Sequence, residues 1–209
     1  MTPMAICGAN KQSIVIVNTG CANISSVKFA VERLGVKVTV SDDVEVIQRA
    51  DKVFLPGVGS ANAAMASIEL KQLKTCIQGL SQPVLGICLG MQLMVDCSEE
   101  SLADNTPCLG MIPGAVKRMQ VGDLRLPHMG WNTVIPTEQN TLFKGIDVGS
   151  YFYFVHSFAV AVCEYTLATT EYGMSFSAAL RKDNFFGVQF HPERSSDAGA
   201  ALLKNFIEL

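Results

Sequence analysis

Ser13-Ile14-Val15-Ile16-Val17 is an unbroken β-branched run of the kind that suits a strand buried on both faces. Asn18-Thr19-Gly20 ends it as a turn. Asn23 or Ser25 then stands where a helix cap belongs, ahead of Val27, Ala30, Val31 and Leu34 on one helical face, with Gly35 as the stop. Residues 36–40 alternate into a second strand, and residues 42–50 read as a short helix with acidic residues at its start. Lys52-Val53-Phe54-Leu55 is a third strand, cut by Pro56-Gly57-Val58-Gly59-Ser60. A long Ala-rich helix is predicted from there to about Gln78, followed by a fourth strand over residues 83–87. Strands alternating with helices imply a parallel sheet with right-handed crossovers. Functional groups in such sheets collect beyond the carboxyl ends of the strands. Three loops satisfy that rule: residues 18–23, residues 56–60 and the turn at Cys88.

The rhythm changes after Pro107. Short strand-like runs over residues 115–119, 131–135, 151–155, 158–162, 165–170, 175–179 and 185–190 follow one another with turns between, and a helix over about 197–207 closes the chain. This pattern adds antiparallel strands to the same core. The expected fold class is α/β: a mostly parallel central sheet flanked by helices, with antiparallel strands in the C-terminal half. No linker-like boundary interrupts residues 13–209, which read as one domain. Residues 1–12 read as a loosely ordered extension without the pattern of a signal peptide.

Composition narrows the function classes. The 209 residues are 49% hydrophobic and 17% charged with a formal net charge of −3, which suits a large core and gives no electrostatic case for nucleic acid or an anionic membrane. Seven cysteines at positions 7, 21, 76, 88, 97, 108 and 163 form no CxxC pair and no metal-ligand spacing. Reduced thiols in the cytoplasm are the simplest reading, with no metal and no cofactor implied.

One of these thiols has a special setting. In Pro83-Val84-Leu85-Gly86-Ile87-Cys88-Leu89-Gly90-Met91-Gln92 an apolar strand runs into a cysteine with glycine at both second neighbours. That is the pattern of a nucleophile elbow, a tight strand-to-helix turn exposing one reactive group. A side chain at Gly86 or Gly90 would collide where the two backbone arms approach, and a helix N-terminus favours the thiolate. The alternative is a buried cysteine that merely follows a strand. His191-Pro192-Glu193 ends a second convincing strand, and residues i and i+2 of an extended backbone share a side. Glu193 can therefore orient His191 while the other ring nitrogen serves Cys88, the base-plus-orienter logic of a triad. Backbone N–H groups of Gly57, Val58 and Gly59, with that of Leu89, offer an oxyanion hole. Acyl transfer is the reaction class these groups support.

The elbow, His191-Pro192-Glu193 and the Pro56-Gly57-Val58-Gly59 loop resemble the class I (triad) glutamine amidotransferases. Three further stretches narrow the resemblance: Pro127-His128-Met129-Gly130-Trp131-Asn132, Tyr153-Phe154-Val155-His156-Ser157, and Asn18-Thr19-Gly20-Cys21-Ala22-Asn23. Together they resemble the glutaminase subunits of imidazole glycerol phosphate synthase, an enzyme of histidine biosynthesis. The resemblance implies that Cys88 attacks the side-chain amide of L-glutamine, that His191 shuttles the proton and that Glu193 holds His191. Gln92, Glu100, Tyr153, His156 and Ser157 match positions that hold glutamine. The ammonia released would pass to a (β/α)₈-barrel cyclase partner in a heterodimer. Asn23, His128, Met129, Trp131, Asn132 and Arg194 are the residues expected to face that partner. Read without the resemblance, Trp131 is more often an interface residue than a core residue opening a strand, and His156 reads as a satisfied core histidine.

The chain departs from many relatives at Asn18, Thr19 and Ala22 in the first loop, and at Arg194, where lysine is common. A different ammonia-supplying glutaminase would keep the triad but lose residues 127–132. A non-catalytic regulatory subunit would be expected to have lost a triad member.

Overall fold

The structure, a computed structural model, describes residues 12–20, 23–100, 105–137 and 140–209. The expected extension over residues 1–12 falls almost wholly outside them, as do Cys21 and Ala22 of the first loop. The strands are β1 (Ile14–Val17), β2 (Val38–Ser41), β3 (Lys52–Gly57), β4 (Val84–Cys88), β5 (Cys97–Ser98), β6 (Thr106–Pro107), β7 (Ala115–Arg118), β8 (His128–Thr133), β9 (Ile135–Pro136), β10 (Tyr151–His156), β11 (Phe158–Val160), β12 (Thr166–Glu171), β13 (Ser175–Lys182) and β14 (Phe185–Val188). The α-helices are α1 (Ile24–Glu32), α2 (Val44–Gln48), α3 (Ala61–Leu70), α4 (Lys74–Gln78), α5 (Leu89–Leu93) and α6 (Ser196–Ile207).

Eight strands form the central sheet in the order β2-β1-β3-β4-β14-β13-β12-β9. The first five run parallel, and β13, β12 and β9 continue antiparallel. This is the expected α/β class. The later strands do not all join that sheet, however: β10 pairs with β8 alone, and β11-β7-β5-β6 make a third sheet.

Alternation along the buried strands splits the core in two. Ile14, Ile16, Phe54, Leu85, Ile87, Phe186 and Val188 face α1 and α6 through Val27, Val31, Leu202 and Phe206. Val15, Val17, Val53, Leu55 and Val84 face α3, α4 and α5 through Ala64, Ile68, Ile77 and Met91. Both faces of a parallel sheet must be covered in this way, which is why its strands read as continuous apolar runs.

Four local differences from the sequence reading have physical causes. β3 continues through Pro56 and Gly57, because β1 pairs with it only as far as Phe54 and the missing proline donor costs no ladder bond there. The predicted long helix is two: Gln72 takes φ +57°, Gln72 N–H donates to Glu69 O and Leu73 N–H to Ile68 O, both at 2.9 Å. That is a Schellman stop formed without the usual glycine. Helix α1 begins after Asn23 with no side-chain cap bond from Asn23. Strand β8 begins at His128, three residues before the predicted start.

Candidate active site

The site rests on register. Parallel pairing sets Gly57 of β3 opposite Cys88 at the end of β4. On the other flank β14 pairs Val188 with Ile87, so the next residue, Gln189, arrives beside Cys88. His191 follows two residues later, beyond the carboxyl end of the same strand, as the parallel-sheet rule requires.

Cys88 itself has φ +54° and ψ −112°, a backbone conformation that costs a non-glycine residue roughly 1–3 kcal/mol. It survives because the flanking glycines let α5 lie directly on the sheet. A Cβ built on Gly86 would stand 2.7 Å from Gly90 C and O and from Met91 N, and one on Gly90 only 1.7 Å from Leu55 O. The strand-helix turn is thus clamped between β3 and α5, with the thiol at its apex.

His191 is held from two sides. Its backbone N–H donates to Tyr153 O at 2.8 Å, and its carbonyl accepts from Ser195 Oγ at 2.6 Å. Ser195 Oγ also accepts from Tyr153 N–H at 3.0 Å, so β10 and the turn over residues 192–194 lock the ring's base. His191 Nδ1 lies 2.8 Å from Glu193 Oε1, and the Glu193 side chain is 1% exposed. Glu193 Oε2 is buried without a hydrogen-bond partner among the described residues. Burial opposes charge on the His191 ring, but hydrogen bonds to Cys88 and Glu193 outweigh it and lift the imidazole pKa to about 10. At neutral pH the ring is an imidazolium between the sulfur and the carboxylate. Cys76 and Cys108 differ: burial raises both thiols, Cys108 to about 12, which keeps them unreactive.

A cavity of about 290 Å³ opens over Cys88, enough for one amino-acid-sized molecule. Its walls bring together Val58, Gly59, Leu89, Gln92, Glu100, His156, Ser157 and His191. Neither Val58 N–H nor Gly59 N–H is engaged by backbone among the described residues, and Gly59 takes φ +89°. Burial raises the Glu100 carboxyl although its Oε2 accepts from Ala61 N–H at 3.3 Å. Asn23 and Arg194, expected at a partner interface, also line this cavity.

Three expectations need correction. Gly57 does not line the cavity: it belongs to β3 and packs beneath, against Gly90. Tyr153 does not line it either. It sits opposite Trp131 in the β10–β8 ladder, with the two rings edge to face at 6.2 Å and the Arg194 guanidinium 5.7 Å over the Tyr153 ring. His128 is not on an outer face. Alternation along β8 turns Met129 and Trp131 outward, 67% and 52% exposed, and His128 inward at 3%. The same exposure rules out Trp131 as a core residue.

His128 instead stacks on Phe154 and Tyr172, with centroids 4.9 and 4.0 Å away, and its Nδ1 lies 3.2 Å from His156 Nε2. His156 Nδ1 is 2.9 Å from Phe158 O. A carbonyl only accepts, so His156 carries its proton on Nδ1. Its Nε2 therefore accepts from His128 Nδ1–H, and His128 Nε2 accepts from Asn132 Nδ2 at 3.2 Å. Asn132 is thus bonded inward, and also donates to Glu171 O at 2.9 Å.

Burial drives the His128 pKa down to about 4 and the His156 pKa to about 3, so both rings fold neutral. Below the unfolded value of about 6.5 the unfolded chain binds more protons, and stability falls as pH falls from there towards the folded values. Denaturant unfolding at pH 7 and pH 5 measures this. The wild type is expected to lose about 2 kcal/mol more over that interval than His128→Gln, which lacks one of the two rings. An equal loss in both would mean that His128 is protonated in the folded state.

Sequence reasoning missed Gln189. It is fully buried, accepts from Gln92 Nε2 at 2.9 Å, and places its own Nε2 3.9 Å from Cys88 Sγ. The available signal was a glutamine inside the apolar run Phe185–Phe190, where a polar side chain must find buried partners.

The chain matches the family described as Glutamine amidotransferase class-I over residues 15–209. The imidazole glycerol phosphate synthase subunit HisH of Colwellia psychrerythraea is 56% identical over 207 residues, spanning 93% of this chain and 92% of the relative. HisH 1 of Vibrio vulnificus is 57% identical over 202 residues, spanning 95% and 99%. HisH of Pectobacterium atrosepticum is 58% identical over 196 residues, spanning 94% and 99%. In fold, the chain resembles a crystal structure of a glutamine amidotransferase (TM-score 0.71, 17% identity, 93% and 97% covered). It also resembles PurLQS from Thermotoga maritima (TM-score 0.68, 18% identity, 95% and 98% covered). The chain belongs to the class I glutamine amidotransferases and, within them, to the HisH subunits of imidazole glycerol phosphate synthase.

Proposed function

We propose that residues 13–209 form one amidotransferase domain that hydrolyses L-glutamine through a Cys88 thioester and hands the ammonia to a (β/α)₈-barrel cyclase. The observation that carries this reading is the buried Cys88–His191–Glu193 line at the floor of an amino-acid-sized cavity. The Cys88 sulfur attacks the side-chain carbonyl carbon of glutamine, and the C=O electron pair moves onto oxygen. Amides of Val58, Gly59 and Leu89 are the donors available for that oxyanion. Collapse of the tetrahedral species breaks the C–N bond, and His191 gives its proton to the departing nitrogen as ammonia leaves. Water then adds to the thioester while His191 takes its proton, and glutamate departs as the sulfur is released. Glu193 keeps the ring's Nδ1 protonated and oriented throughout. Gln92 through its Oε1, Glu100 and Ser157 supply the polar lining that holds glutamine, and His156, whose two ring nitrogens are already engaged, shapes the wall beside them.

The ammonia is consumed in the partner, yielding imidazole glycerol phosphate and aminoimidazole carboxamide ribotide in histidine biosynthesis. Met129, Trp131 and Arg194 form the docking face. Trp131 and Met129 are large, apolar and exposed, Met129 paired across the ladder with Val155 of the cavity wall, and tryptophan and arginine are the residues that most often anchor interfaces. We assign the protein to the cytoplasm; no helix among the described residues is long and apolar enough to cross a membrane.

Glutaminase turnover of the chain alone, with the cyclase, and with the cyclase plus its nucleotide ligand tests the proposal. Low activity alone and a marked rise in the liganded complex are expected, because the amides of Val58 and Gly59, between β3 and α3, make no backbone hydrogen bond among the described residues and can reorient on contact. Trp131→Ala should weaken cyclase affinity about 30-fold, the cost of losing an anchor of roughly 2 kcal/mol. Equal turnover with and without the cyclase, or an unchanged affinity in Trp131→Ala, would refute the partner assignment.

A further inference from the structure

A single peptide oxygen, Phe158 O, fixes the orientation of two buried side chains. It accepts from Gln92 Nε2 at 3.0 Å as well as from His156 Nδ1 at 2.9 Å. Because that oxygen cannot donate, the Gln92 amide must present nitrogen to it. The second hydrogen of the same nitrogen goes to Gln189 Oε1 at 2.9 Å. With its oxygen so engaged, Gln189 can turn only its NH₂ towards Cys88 Sγ. Both side chains are buried, and Gln189 lies off the cavity wall, so a flip of its amide has no water to compensate it. The register of β4 and β14 places Gln189 next to Cys88 independently of these bonds.

We propose that Gln189 is a positioning residue for the nucleophile: its amide, oriented by Gln92 and Phe158 O, donates to the Cys88 sulfur from outside the cavity wall. Gln189 is absent from the cavity wall, so its action is on the sulfur and not on the substrate. A donor on the sulfur favours the thiolate and holds it at one rotamer for attack. The His191 ring is the sulfur's other polar neighbour, and Cys88 is among the causes that raise its pKa. The remaining titratable and charged groups around the sulfur are Glu193 behind His191, and Glu100, Arg194 and the neutral His156 on the cavity wall.

The inference deepens the proposed glutaminase reading, and its test separates the two. Iodoacetamide alkylation of Cys88 in the isolated chain, followed by peptide-resolved mass spectrometry across pH, needs neither glutamine nor a partner. Gln189→Met keeps length and volume but has no donor. Its Cys88 alkylation profile is expected to move about one pH unit upward, with the profiles of Cys97 and Cys163 unchanged. Turnover in the cyclase complex should show kcat down about tenfold and KM within twofold of wild type. Should Gln189→Met fail to fold, Gln189→Asn retains a buried amide that falls short of the sulfur, and the same shifts are expected. An unmoved Cys88 profile, or a raised KM with unchanged kcat, would overturn the inference. A shifted profile in a chain without glutaminase activity would leave the inference standing and remove the glutaminase reading.

Discussion

Cys88→Ala is expected to lower glutaminase turnover in the liganded complex by about 10⁴-fold or more, the scale on which removing a nucleophile acts. The reason is structural as well as chemical. Among the described residues, Cys88 is the sole thiol on the cavity wall, which it shares with His191, and it is the sulfur that helps raise the His191 pKa. Cys76 and Cys108 are held unreactive by burial, so no neighbouring sulfur can take over. The fold should survive the change. Cys88 Cβ is already accommodated at φ +54°, and alanine keeps that Cβ while removing only the sulfur. Thermal unfolding within a few degrees of wild type, together with undiminished cyclase affinity, would show that chemistry alone was lost. Residual turnover above about one per cent would mean that the hydrolysis does not pass through a Cys88 thioester.

Gly90→Ala is the complementary case, in which architecture fails before chemistry. The added methyl would sit 1.7 Å from Leu55 O and 2.8 Å from Leu55 C, and a backbone carbonyl cannot swing aside as a side chain does. Either α5 lifts off β3 or the β3–β4 pairing at Leu55–Gly86 opens. Overpacking of a core costs typically 1–3 kcal/mol and more where rigid groups meet, so a loss of about 3 kcal/mol is expected. In a chain of this size that lowers Tm by roughly 6–12 °C. Lifting α5 also moves Leu89 and Cys88, so turnover should fall even at temperatures where the variant is folded. A Tm within about 2 °C of wild type would show that the turn has slack that the packing of Gly86, Gly90 and Leu55 denies.

Most of the central sheet was legible because a strand buried on both faces leaves a continuous apolar run, as residues 14–17, 53–55 and 84–87 do. Cys88, His191 and Glu193 were legible for a different reason. Cys88 ends β4, where the flanking glycines mark the close approach that an exposed nucleophile needs, and His191 and Glu193 follow just beyond the end of β14, Glu193 in a helical turn and not in extended chain. What escaped depended on contacts between segments far apart in the chain. The Schellman stop at Gln72 lacks the glycine that normally announces it. His128 and Tyr153 were assigned to the wrong sides because their faces follow from the β8–β10 pairing, in which His128 meets His156 and Trp131 meets Tyr153. Gln189 escaped because its function follows from the register of β14 on β4, a property of neither strand alone.

The acceptor that orients Gln92 and His156 is a main-chain atom, Phe158 O. Any residue at position 158 would present the same oxygen, so drift there leaves no trace in a family of sequences, and an alanine scan passes over it silently. The side chains that depend on it, by contrast, are each open to substitution. The network is therefore anchored at a point that the genetic code cannot edit, and only a chemical change to the backbone would expose how much rests on it.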